Sequence, residues 1–302
     1  MSNPALRNVP LKAMLLMIGS VTVFSLQDAA YKYLAGSYSV PQVLFFGRIL
    51  AMPLAILLAH RAGGLRTLAT RRPLAHAARA ACIASALVLF VFALKRLPLA
   101  DAIVIGFAAP LFTTTLSVPL LKERVGPRRW GAVLVGFVGV LVILQPSGAG
   151  FGIGGLMALG SAFIYAFFLI ISRALSATES GPCLIFWNAA GLFLVMGVAM
   201  LWDWRTPVGE DFFVFMLIAV IGAAGQFLVT EAFRHGEVSL LVPIEYLGLI
   251  WATALGYLLW SDVPTLTVFG GAAIVIASSA YIIHRETRMP RREPPETHLL
   301  ET

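Results

Sequence analysis

Long apolar runs dominate the hydrophobic pattern of the chain, and short polar or basic stretches separate them. An α-helix needs about 20 apolar residues to cross a bilayer, and ten runs of that length can be drawn. They predict ten membrane-spanning helices, at residues 11–33, 41–60, 78–96, 100–121, 128–146, 154–174, 182–202, 211–233, 238–260 and 264–284. We therefore expect an all-α integral membrane protein.

Composition and charge agree with this expectation. Hydrophobic residues make up 59% of the chain and charged residues 12%, whereas a soluble domain carries about 25% charged residues. The net charge of +7 does not indicate nucleic acid, because most Lys and Arg residues fall on one side of the membrane when ten helices alternate. The positive-inside rule then predicts that both termini are cytoplasmic. The charged, proline-rich segment 286–302 is expected to be a disordered tail.

The chain contains a weak internal repeat, which divides it into residues 11–146 and 154–285. Alignment of the two segments places the following residues of the first on those of the second: Gly19 on Gly160, Ser20 on Ser161, Lys32 on Arg173, Pro41 on Pro182 and Glu123 on Asp262. Each segment holds five predicted helices. An odd number makes the second segment cross the membrane in the opposite sense, which predicts the inverted repeat common in secondary transporters.

Two stretches at corresponding positions resemble a known family. They are "ALKRLPLADAIVIGFAAPLFTTTLSVPLLKERVGPRRWGAVLVGFVGVLVI" and "AFRHGEVSLLVPIEYLGLIWATALGYLLWSDVPTLTVFGGAAIVIASS". The chain is similar to the drug/metabolite transporter superfamily, specifically to proteins with two EamA-type domains, although Asp262 stands where that family usually has glutamate. The resemblance implies a bacterial inner-membrane carrier that works by alternating access, in which the two inverted five-helix halves rock against each other. It also implies a central cavity lined by the first, third and fourth helices of each half.

The substrate class implied by the resemblance is a small polar or amphipathic metabolite, such as an amino acid, a vitamin or a nucleoside-like compound. Uptake of riboflavin or S-adenosylmethionine is a narrower alternative. An ion channel and a membrane-embedded enzyme are alternatives from other classes. The five histidines lie at loops or helix ends, and Cys82 and Cys183 are interpreted as packing residues. We therefore expect no catalytic site, metal site or cofactor, and either a monomer or a homodimer in the bilayer.

The repeat helps to separate scaffold residues from site residues, since a bound metabolite is asymmetric. Asp28 aligns with Leu169, and Arg48 aligns with Ala189. Both charges lie on the order of 10 Å inside the membrane, where an isolated charge costs about 3 kcal/mol or more. We expect Asp28 and Arg48 to form an ion pair or to share a polar network, which could bind substrate or simply join two helices.

Further unmatched polar and aromatic residues complete the candidate substrate site. Glu245 and Tyr246 align with Gly106 and Phe107, although Glu245 could also be a helix-start acid. A small-molecule pocket combines aromatic side chains with a few placed polar groups. The candidate binding residues are Phe24, Ser25, Gln27, Asp28, Arg48, Tyr165, Gln226, Glu245 and Tyr246.

Polar features that occur in both halves are interpreted as structural. Lys32 is expected to extend to the lipid headgroups, and Asp262 to cap or anchor a turn before a helix. Small residues in the fifth and tenth predicted helices favour close packing within one chain. Pro110 and Pro243 are expected to break or kink helices beside the cavity.

Overall fold

The computed structural model describes residues 4–61, 64–121, 125–144, 152–176, 178–236 and 238–288. These ranges contain helices and connections, with no β-strand among them. The α-helices are α1 (Pro4–Leu34), α2 (Val40–Arg48), α3 (Ala51–Arg61), α4 (Pro73–Leu94), α5 (Leu99–Gly106), α6 (Ala109–Leu121), α7 (Pro127–Leu144), α8 (Ile153–Leu175), α9 (Gly181–Ala199), α10 (Glu210–His235), α11 (Val238–Glu245), α12 (Leu247–Trp260) and α13 (Leu266–Arg288). Two 3₁₀ turns, Leu65–Leu68 and Met200–Asp203, precede α4 and follow α9.

The helices are long and apolar enough for a multi-pass membrane protein. Within the described ranges, eight helical segments could each cross a membrane, and Leu266–Ile282 is a shorter apolar helix. The last helix continues to Arg288, so the expectation of a disordered tail from residue 286 is wrong for its first three residues. The rest of that tail, and the predicted turn residue Glu123, lie outside the described residues.

Three of the predicted helices are interrupted. The second is divided at residues 49 and 50, between α2 and α3, and the fourth and ninth are broken near proline, as expected. The break between α5 and α6 falls at Phe107 and Ala108, because Pro110 lacks the N–H that would pair with the Gly106 carbonyl and its ring clashes with that group. The break between α11 and α12 falls at Tyr246, three residues after Pro243. The aromatic rings of Phe107 and Tyr246 meet edge to face, with their centres 5.1 Å apart. The repeat therefore places two helix breaks in direct contact.

The helices of the two repeat segments interlock instead of forming separate halves. Helix α1 packs mainly against α10, with further contacts to α11 and α12, and we call these four helices the α1 bundle. Helix α8 packs against α4, α5 and α6, and these four form the α8 bundle. Each bundle thus combines the first helix of one repeat segment with later helices of the other.

Glycines allow α7 and α13 to pack together at backbone distance. A Cβ atom built on Gly271 would lie 2.7 Å from the carbonyl oxygen of Gly139 and 2.4 Å from the side chain of Ile143. The prediction that small residues in these two helices serve packing within the chain is confirmed by this contact.

Candidate substrate site

A charged cluster joins the two bundles at one end of the molecule. Lys32 Nζ, in the last turn of α1, donates to Asp262 Oδ2 at 2.9 Å and to the carbonyl oxygen of Leu97 at 2.8 Å. It also lies 4.9 Å from the centre of the Trp260 ring, and Asp101 interacts electrostatically with both Lys32 and Asp262. Lys32 and Trp260 belong to the α1 bundle, and Asp262 lies in the connection between α12 and α13, whereas Leu97 and Asp101 belong to the α8 bundle or its connections. We call these five residues the Lys32 cluster.

The Lys32 cluster corrects two expectations. Lys32 does not extend towards headgroups, because its side chain is only 12% exposed and its ammonium group is held by two oxygen acceptors. Asp262 is one of those acceptors and not simply a helix cap. The repeat suggested that both residues serve the scaffold, but it could not show that they are partners.

The two bundles pack against each other near the Lys32 cluster, where α5 contacts α12. At the other end α6 packs against α8 and α7, while α11 packs against α1, α13 and α10. Among the described residues, α6 and α11 have no comparable packing against each other. The bundles are therefore joined more closely at the Lys32 end than at the α6–α11 end, and we call the interface between them the central cleft.

Five of the expected site residues come together at the central cleft. The Arg48 guanidinium interacts electrostatically with Asp28 and with Tyr165. Glu245 interacts electrostatically with Tyr165 and with Tyr246. Glu245 is exposed and Tyr165 is 37% exposed, although each interacts with groups on neighbouring elements. Both therefore border the cleft.

Three polar atoms near the cleft are enclosed without a hydrogen-bond partner among the described residues. They are Arg48 Nε and the hydroxyl groups of Tyr31 and Tyr246. The Tyr31 side chain lies beside Arg48, and the Ser279 side chain lies beside Tyr246. A buried polar group without a partner is costly and needs an explanation, and a bound polar molecule is one such explanation.

Asp28 and Arg48 share a polar environment but do not form a direct ion pair. Among the described residues, the contacts of 4.0 Å or less between opposite charges do not include this pair. The electrostatic interaction between them remains. Of the two arrangements expected from the sequence, the geometry favours the shared network.

Tyr31 belongs to the same network, although the sequence analysis did not place it in the site. Its side chain packs against Gly47, where an added Cβ would lie 2.2 Å from the Tyr31 hydroxyl oxygen. It interacts electrostatically with both Arg48 and Asp28. Its spacing of three residues from Asp28 on α1 was the sequence signal, since residues three apart share a helix face.

Three expected site residues instead hold helices together. Gln27 is 2% exposed, and its Nε2 group donates to the carbonyl oxygens of Gly47 and Ile218. Ser25 is buried against the α12 backbone, and Phe24 packs against Gly225 of α10. Their contacts are with the protein, so we leave them out of the proposed binding surface.

Gln226 is half-buried on α10 and contacts its own helix. Its Nε2 group lies 3.5 Å from the hydroxyl group of Thr230, which in turn donates to the Gln226 carbonyl oxygen at 2.7 Å. Nothing in these contacts brings Gln226 to Arg48 or Glu245.

A second polar cluster lies away from the central cleft, where α4 and α9 begin. The Sγ atom of Cys183 lies 3.3 Å from Glu179 Oε2 and 4.0 Å from His76 Nε2. Cys183 and His76 are 0% and 1% exposed. The expectation that Cys183 is only a packing residue is therefore wrong, and the position of His76 near a helix end did not keep it out of a buried cluster. Spacing could not reveal this cluster, because 107 residues separate His76 from Cys183.

Comparison with known proteins agrees with the helical architecture. The model of the EamA-like transporter family matches residues 11–145 and 152–284. A protein of known crystal structure, 19% identical, superimposes with a TM-score of 0.61 over 96% of this chain and 100% of its own, which shows the fold alone.

Similar curated proteins are named as transporters of small molecules. The riboflavin transporter of Vibrio cholerae is 26% identical over 96% of this chain and 98% of its own length. The S-adenosylmethionine uptake transporter of Rickettsia prowazekii is 28% identical over 89% of this chain and 91% of its own. The pseudopaline exporter of Pseudomonas aeruginosa is 28% identical over 88% and 94%. Because the family model covers nearly the whole chain, the protein belongs to the EamA-like transporter family, and the resemblance to the drug/metabolite transporter superfamily is confirmed.

Proposed function

We propose that this protein is a secondary transporter that moves a small polar or amphipathic metabolite across the bacterial inner membrane by alternating access. The observation that carries the proposal is the central cleft, which the Lys32 cluster closes at one end and which Arg48 and Glu245 border in the middle. Secondary transporters place their substrate site near the bilayer midplane between related repeats.

The proposed topology has ten membrane segments in two inverted sets of five, with both termini in the cytoplasm. Contacts between segment ends support this arrangement. Lys12 Nζ near the start of α1 lies 3.2 Å from His235 Nε2 at the end of α10, and both ends are assigned to the cytoplasm. At the other face, Gln42 at the start of α2 donates to the carbonyl oxygen of Arg205. The Lys32 cluster would then face the outside, and the described conformation opens inward.

Alternating access requires the Lys32 cluster to open when the inner end closes. The moving bodies would be the α1 and α8 bundles, since these meet across the cleft. Lys32 pairs with Asp262 in the connection that follows α12 of its own bundle, whereas the Lys32–Leu97 contact crosses to the connection between α4 and α5. Asp262 thus orients the Lys32 ammonium group towards the Leu97 carbonyl oxygen. The contact between Lys32 and Leu97 is the one that must break when the outer end opens.

The charges at the cleft favour a substrate that carries both signs. Arg48 suits a carboxylate, and Asp28 or Glu245 suits a cationic group, while Tyr165 and Tyr246 offer aromatic surface for a ring. S-adenosylmethionine has a carboxylate, cationic groups and an aromatic base. It is therefore the first compound to test, followed by riboflavin and then by amino acids and nucleosides.

A thermal-shift screen of the detergent-purified protein with these compounds tests the proposal. A ligand present at about 100 times its Kd stabilises the folded state by about 2.7 kcal/mol. We expect a compound with both charge signs to raise the midpoint of the wild type and to lose this effect in Arg48→Gln and Glu245→Gln. The exposed acid Glu210, at the start of α10, provides the control variant Glu210→Gln, which should respond as the wild type does.

A compound identified in the screen should also show counterflow in proteoliposomes. Internal unlabelled compound should accelerate entry of labelled compound, because a carrier exchanges substrate as it reorients. An ion channel would give flux without this acceleration, and a membrane enzyme would convert the compound. Binding that survives in both cleft variants would instead show that the proposed site is wrong.

A further inference from the structure

Three side chains with metal-binding atoms converge where α4 and α9 begin. His76 lies in the first turn of α4, Cys183 in the first turn of α9, and Glu179 in the connection that precedes α9. One donor atom from each of these residues can be chosen so that all three lie within 4.8 Å of one another. We call these residues the His76 cluster.

The spacing of the donor atoms suits a tetrahedral cation. Zinc binds thiolate sulfur at about 2.3 Å and imidazole or carboxylate ligands at about 2.0–2.2 Å. Neighbouring ligand atoms around a tetrahedral centre are then roughly 3.3–3.8 Å apart. Cys183 Sγ lies 3.3 Å from the Glu179 oxygen and 4.0 Å from the His76 nitrogen, so a small inward shift of His76 would complete the geometry.

The surroundings of the cluster orient its ligands. The Thr70 hydroxyl donates to Glu179 Oε1 at 2.7 Å, which leaves Oε2 directed at Cys183. Hydrogen bonds of this kind fix metal ligands in their binding orientation.

His76 presents its Nε2 atom to Cys183. Its ring is buried beside the Trp187 ring, and its Nδ1 atom has no hydrogen-bond partner among the described residues. The neighbouring cation, Arg79, instead donates to the Leu184 carbonyl oxygen and to the Ser172 hydroxyl group. Among the described residues, Arg79 therefore does not form a direct ion pair with Glu179.

We propose that His76, Glu179 and Cys183 bind a divalent cation of the zinc type and thereby join α4 to the start of α9. Binding replaces the proton of the Cys183 thiol, which is released to solvent as the sulfur–metal bond forms. Thiolate and carboxylate then balance the two positive charges. A water molecule or a carbonyl oxygen of the adjacent turn, where Leu68 O lies 3.6 Å from Sγ, would complete the coordination.

Cobalt titration of the full-length protein, purified without a polyhistidine tag and treated with a chelator, tests this proposal. Thiolate-bound Co²⁺ gives a charge-transfer band in the near ultraviolet, which reports the sulfur ligand directly. We expect one such site per chain, displacement of cobalt by Zn²⁺, and a rise in the thermal midpoint with either metal. Cys183→Ser should abolish the band.

Matched variants separate this site from nonspecific binding. Cys82→Ser removes the other free cysteine and should leave the band unchanged. Glu179→Gln keeps Cys183 but removes a charged ligand, and should weaken cobalt binding by about tenfold or more. Absence of the band from the wild-type protein, or its persistence in Cys183→Ser, would overturn the proposal and leave a hydrogen-bonded Cys–Glu–His cluster.

Discussion

Individual charged residues show how context decides the role of a side chain. Lys32 and Asp262 each have a counterpart in the other repeat, and their sequence positions indicated a headgroup anchor and a helix cap. In the structure they form a 2.9 Å ion pair, with side-chain exposures of 12% and 26%. A partly enclosed ammonium group with two acceptors is more strongly held than an exposed one, because water competes less for it.

A double-mutant cycle on Lys32→Ala and Asp262→Ala tests this interaction. We expect a coupling of about 1.5–3 kcal/mol in the free energy of unfolding, as for hydrogen bonds to charged groups. The exposed pair Asp203 and Arg205, whose atoms are 3.7 Å apart with exposures above 60%, is the control and should couple by less than about 1 kcal/mol. Equal coupling in the two cycles would contradict a special role for Lys32.

At the scale of residues, sequence polarity identified charges that lie near one another in the structure, but it did not indicate which neutral polar groups contact only protein. Asp28, Arg48 and Glu245 were selected because burying a charge requires a purpose, and the structure places each within reach of another cleft residue. Gln27 was selected by the same polarity argument, but its amide satisfies two backbone carbonyl groups. Sequence polarity alone does not distinguish a ligand contact from a hydrogen bond between helices.

At the scale of helices, close packing occurs at glycine positions. The sequence indicates where these glycines lie, but it does not indicate which two helices they bring together. The small residues of α7 and α13 predicted close approach, and proline predicted the breaks between α5 and α6 and between α11 and α12. Which helices meet depends on interactions across the repeat, and no local pattern carries that information. The contact between Phe107 and Tyr246 is an example.

Adjacent glycines in α13 allow a direct test of this packing. Gly271→Ala would place a Cβ 2.4 Å from the Ile143 side chain and 2.7 Å from a backbone oxygen of α7. We expect a loss of about 1–3 kcal/mol in the free energy of unfolding from overpacking, measured by denaturation in detergent. Gly270→Ala meets nothing within 4 Å, and should be neutral or slightly stabilising because alanine favours helix. A neutral Gly271→Ala would show that α7 and α13 are not this close.

For the whole molecule, the sequence predicted a repeat and a cavity, but it suggested that two sequence halves move against each other. The observed packing exchanges the first helices of the repeat segments between bundles. A motion between sequence halves would have to separate α1 from α10 and α8 from α4, which are among the most extensive interfaces of the chain. Movement between the α1 and α8 bundles preserves those interfaces.

Site-specific accessibility measures this motion most directly. The measurement uses a protein that carries Cys82→Ser, Cys183→Ser and Glu245→Cys. Oriented vesicles that contain it are treated with a membrane-impermeant maleimide from one face or the other. We predict that labelling is faster from the cytoplasmic face than from the outer face when Lys32 is intact or replaced by arginine. In Lys32→Ala, the rate of labelling from the outer face should rise several-fold, because the contact with Leu97 that closes the cleft is lost. An outer labelling rate that is the same in Lys32→Ala and in the Lys32-intact protein would contradict closure of the cleft by this contact.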